Sequence, residues 1–117
     1  MEIVIVSPES RRRDNLISML ESIVQPSSIK MVEMCGDVGK IANPADPALV
    51  FIDYREPAKC IDKRISELIM NKAVSYIVLL VSRRGSDWHF THYSSCELVY
   101  EEITVDILKN LLKNIQQ

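Results

Sequence analysis

The apolar residues of this chain gather in short continuous runs, Ile3-Val4-Ile5-Val6, Leu49-Val50-Phe51-Ile52 and Tyr76-Ile77-Val78-Leu79-Leu80-Val81. A strand with one wet face alternates apolar and polar residues. A continuous β-branched run belongs instead to a strand covered on both faces, as in a parallel sheet. Such strands need crossover connections, and the segments between the runs carry helical spacing. That constraint narrows the chain to an alternating α/β architecture.

Read in order, strand one is Ile3 to Val6. Ser7 then offers an N-cap hydroxyl with Pro8 at the first helical position, and Leu16, Ile17, Leu20, Ile23 and Val24 recur at helical spacing. Helix one is expected to end near Val24, before Pro26. Ile29 to Met34 reads as strand two, Asp37 to Ala42 as a short helix, and Asn43-Pro44 and Asp46-Pro47 as a loop. Strand three is Leu49 to Ile52. Ile61, Ile65, Leu68 and Ile69 mark the core face of helix three, and Tyr76 to Val81 is strand four, central or next to the centre. Residues 83–93 lack a clean helical stripe, so the fourth helix is expected to be short or irregular. Glu97 to Tyr100 is strand five. Thr104 caps a last helix with apolar positions Ile107, Leu108, Leu111, Leu112 and Ile115. Right-handed crossovers favour a flavodoxin-like, doubly wound, five-stranded parallel sheet with helices on both faces.

With 117 residues, 47% of them hydrophobic, residues 1–117 form one domain able to bury a core. The formal net charge of -2 lacks the basic footprint that nucleic acid or an anionic membrane surface requires. No apolar run approaches the ~18 residues of a spanning helix, and no charged-then-apolar leader opens the chain, so the expected location is the cytoplasm. Cys35, Cys60 and Cys96 are odd in number and scattered, as reduced structural thiols would be.

Asp53 closes strand three, at the mouth where open α/β sheets bind ligands, and Pro57 follows four residues later. Ser82 follows strand four. In order and spacing, over essentially the whole chain, these residues resemble the receiver domains of bacterial response regulators. The resemblance makes Asp53 the phosphoacceptor equivalent and Ser82 the equivalent of the switch threonine or serine. It also implies homodimerisation through the surface of the fourth helix, fifth strand and fifth helix. A C-terminal effector domain or a regulatory partner protein would receive the signal.

Where the family has two adjacent acidic residues after strand one, to help hold Mg²⁺, this chain has Ser7 and Pro8. Mg²⁺ needs hard oxygen donors, and phosphoryl transfer relies on the metal to neutralise charge developing on the phosphoryl oxygens. Glu9 is the nearest substitute, but one further residue in a helix turns the side chain by about 100°. The family's lysine after strand five corresponds to Glu101, with Glu102 beside it, and its aromatic switch to Leu98. A unit charge pair at ~4 Å and an effective dielectric of about 20 is worth roughly 4 kcal/mol, so reversing that charge disfavours a phosphorylated Asp53. Arg12 and Arg13, in the run Arg11-Arg12-Arg13, are candidate crevice contacts for Asp53 or Glu101.

These departures point to a degenerate, phosphorylation-independent receiver that acts by protein contact, with no enzymatic activity and no resident cofactor. The competing reading keeps Asp53 as a true phosphoacceptor for a histidine kinase, with Glu9, Asp53 and Glu101 as an altered Mg²⁺ site. Trp88, Phe90 and Tyr93 are candidate partner anchors or core caps. His89, His92 and Cys96 form too loose a set for a metal site. Gly36 and Gly39 lack the GxGxxG spacing of a dinucleotide site.

Overall fold

The computed structural model of the chain describes residues 2–53, 61–81, 95–99 and 102–116. Its first strand, β1 (Ile3–Val6), is buried at every position, because it hydrogen-bonds on both sides and carries helices on both faces. Its neighbours are β2 (Ile29–Val32) and β3 (Ala48–Asp53), followed outward by β4 (Val74–Leu80) and β5 (Cys96–Val99). All pairings are parallel, and the strand order is β2-β1-β3-β4-β5.

Side-chain alternation splits the core in two. Ile3, Ile5, Leu49, Phe51, Val78 and Leu80 point to one face, where they meet Leu16 and Leu20 of α1 (Arg11–Glu21) and Leu108, Leu111 and Leu112 of α4 (Val105–Gln116). Val4, Val6, Val50, Ile52, Ile77 and Leu79 point to the other. There they meet Val38 of the single-turn α2 (Val38–Ile41) and Ile65 and Leu68 of α3 (Ile61–Ile69). Residues of β1 and β3, and of the second half of β4, have no wet side to face, which is why those runs are continuous.

The described elements match the sequence expectation with shifts at their ends. Strand two stops at Val32 rather than Met34, because β1 stops at Val6 and its last ladder bond is Ser7 N–H to Val32 O at 3.0 Å. Beyond it Met34 is 68% exposed. Strand four starts at Val74, two residues early. Ser75 is accommodated by a register shift opposite Ala48/Leu49, and its Oγ donates to Ala48 O at 3.1 Å.

The N-cap of α1 is a correction. Ser7-Pro8 does not start the helix; Ser10 does, with extended backbone and its Oγ accepting from Arg13 N–H at 3.1 Å. Ser7 instead prolongs the sheet through its N–H bond to Val32 O, its hydroxyl donates to Pro8 O and its carbonyl accepts from Arg13 Nη1, so neither oxygen receives a helix N–H, and the helix begins one turn later. At the last helix Thr104 does cap: its Oγ1 accepts from Ile107 N–H at 3.2 Å, and its carbonyl from Leu108 N–H at 3.0 Å. The expected fourth helix falls outside the described residues, as do Cys60, Trp88, His89, Phe90, His92 and Tyr93.

Cys96 is buried in β5 among the α3-side core residues, and burial, with Glu97 adding to it, lifts its thiol from 9.0 to about 11. A thiol held neutral by the fold contributes stability below the unfolded-state value, and that contribution is lost as pH rises from about 9 toward 11. Replacing Cys96 with Ala is therefore expected to flatten the alkaline end of the stability profile in urea titrations from pH 8 to 11. A slope identical to that of the parent chain would refute this. Ser10→Ala is expected to lower stability by about 1 kcal/mol, a cost typical of a lost helix N-cap, measured by the same titrations at pH 7.

Candidate functional site

The site lies at the C-terminal ends of β1 and β3. Ile52 pairs with Val6 and Asp53 with Leu80, so Asp53 sits between the exits of two buried strands and next to Ser7. Its carboxylate is only 6% exposed. An ionised carboxylate at that depth needs a compensating charge or hydrogen bonds.

Helix α1 brings the charge. With Ser10 as cap, Arg11, Arg12 and Arg13 occupy the first turn and fan out by about 100° per residue. Arg11 faces solvent. Arg12 reaches across the crevice and places Nε 3.7 Å from Asp53 Oδ2 while remaining 42% exposed. That distance makes it an ion-pair contact rather than a close hydrogen bond. Arg13 turns inward: its Nη1 donates to Ser7 O at 3.4 Å, and its Nε is buried with no hydrogen-bond partner among the described residues. Three cations at a helix N-terminus oppose the helix dipole, so these contacts, together with Asp14 in the same turn, offset a local electrostatic cost.

Ser7 is buried, and its hydroxyl donates to Pro8 O at 3.1 Å. Glu9 is exposed. Leu98 pairs with Leu79 across β4 and β5 and packs against the α3-side core. Ser82 and Glu101 lie outside the described residues. Beside the Arg12–Asp53 pair, between α1 and the segment entering α4, a cleft of about 80 Å³ opens, floored by Leu16, Met19, Leu80 and Ile103 and rimmed by Arg12, Asn15 and Glu102. Sequence reading named Arg12 as a crevice contact but missed Asn15 and Met19. Their spacing of three and seven residues from Arg12 puts them on its helix face, a signal present but unread.

The described residues do not fit Mg²⁺. The end of β1 supplies a serine hydroxyl already hydrogen-bonded to Pro8 O and no carboxylate, and a guanidinium stands against Asp53 where a metal would need open coordination. Among the described residues no group of three His, Cys, Asp or Glu side chains could hold an ion. Cys96 faces the core with its thiol protonated, unsuited to ligate a metal with His89 and His92.

Among the described residues no helix is long and apolar enough to cross a membrane. Comparison with protein-family models, curated proteins and solved structures gives no match.

A double-mutant cycle with Arg12→Ala and Asp53→Asn is expected to give a coupling energy of roughly 1 kcal/mol, because the buried carboxylate strengthens the pair while the exposed guanidinium weakens it by solvent screening. The coupling should shrink between 0.05 and 1 M NaCl in urea titrations, concentrations of roughly 14 Å and 3 Å screening length. Additive single-mutant effects would show that the contact carries no energy.

Proposed function

We propose that this chain is a degenerate receiver-like module that works without phosphorylation, as a regulatory interaction domain of a bacterial signal-transduction or transcription regulator in the cytoplasm. The strand order β2-β1-β3-β4-β5 supports a flavodoxin-like reading, since that group orders its strands 2-1-3-4-5 and binds ligands at the β1/β3 switch point. Asp53 ends the strand that forms one side of that point.

The observation that carries the proposal is the Arg12 guanidinium against the buried Asp53 carboxylate. A receiver that accepts phosphate needs an exchangeable metal that clamps the incoming phosphoryl oxygens while the aspartate attacks. Here the cation beside the aspartate is part of α1. It compensates the carboxylate permanently, and the end of β1 offers no acid to recruit a metal. The crevice on this reading is structural, tying α1 to the end of β3 in a single state.

Signal transmission then rests on contact surfaces. Between β5 and α4 a groove of about 270 Å³ has half-buried Leu98 and Ile107 along its walls and buried Leu111 beneath them, with Glu97, Asn110 and Asn114 also lining it. Apolar walls with a polar rim suit a protein partner, and the reading assigns this face to a second copy of the chain, with an effector domain or partner protein downstream.

Two measurements test the proposal. Incubation with acetyl phosphate and Mg²⁺ followed by intact-mass analysis is expected to show no phosphoryl adduct. An adduct that disappears in Asp53→Ala would establish the competing reading, a functioning phosphoacceptor. Sedimentation velocity over a range of concentrations is expected to show a dimer that Asn110→Arg converts to a folded monomer; a parent chain that stays monomeric would remove the dimer from the account.

A further inference from the structure

No further inference is drawn: the strongest candidate, the cleft of about 80 Å³ between α1 and the segment entering α4, rimmed by Arg12, Asn15 and Glu102, opens beside the Arg12–Asp53 pair and belongs to the site already described.

Discussion

The pairing of β1 with β3 is the constraint on which the rest of the molecule depends. Ile3, Val4, Ile5 and Val6 lie beside Leu49, Val50, Phe51 and Ile52 in register, and all eight side chains are buried. Two adjacent strands with no solvent-facing residue require cover above and below, so α1 and α4 on one side and α2 and α3 on the other follow from them. The same pairing carries the backbone to a common exit, where Ser7 and Asp53 emerge side by side. The candidate site is thus a consequence of the core, set at the rim of its most buried part.

At that rim the electrostatics run opposite to those of a cation-binding crevice. A metal site needs several oxygen donors and few competing cations. Among the described residues this one has the Asp53 carboxylate, a hydroxyl already engaged with a backbone carbonyl, a half-exposed Arg12 guanidinium against Asp53 and an Arg13 guanidinium turned inward. The shift of the N-cap from Ser7 to Ser10 matters for this outcome. A helix begun at Pro8 would rotate the arginines differently relative to β3, whereas a start at Arg11 sets Arg12 over Asp53 and Arg13 over Ser7 O.

Much of the fold was readable because its signals are local and repeated. Helical spacing in Leu16 and Leu20, or in Leu108, Leu111 and Leu112, marks the buried stripe without knowledge of the partner surface. Strand ends were less readable, since a strand stops where its neighbour stops. Nothing in Val32-Glu33-Met34 says that β1 will already have ended at Val6. By sequence the cap falls at Ser7, although Ser10 is the same residue type one turn on. The Ser7 hydroxyl meets the Pro8 carbonyl and the Ser7 carbonyl meets the Arg13 side chain, both outside the helix ladder, and Ser10 Oγ takes the Arg13 N–H. In the site, the type and position of Asp53 and the absence of an acidic pair were plain from the sequence, and the reach of one arginine rather than its neighbour was not.

By itself the sequence determined the alternation of buried strands and amphipathic helices, the placement of an aspartate at a strand exit, and the presence of Ser7 and Pro8 rather than carboxylates directly after strand one, because each depends on residue type and spacing alone. Tertiary structure decided the strand order, the N-terminus of α1 and the approach of Arg12 to Asp53. Those depend on which backbone groups meet across tens of residues, and a helix rotates by about 100° for each residue by which its start moves.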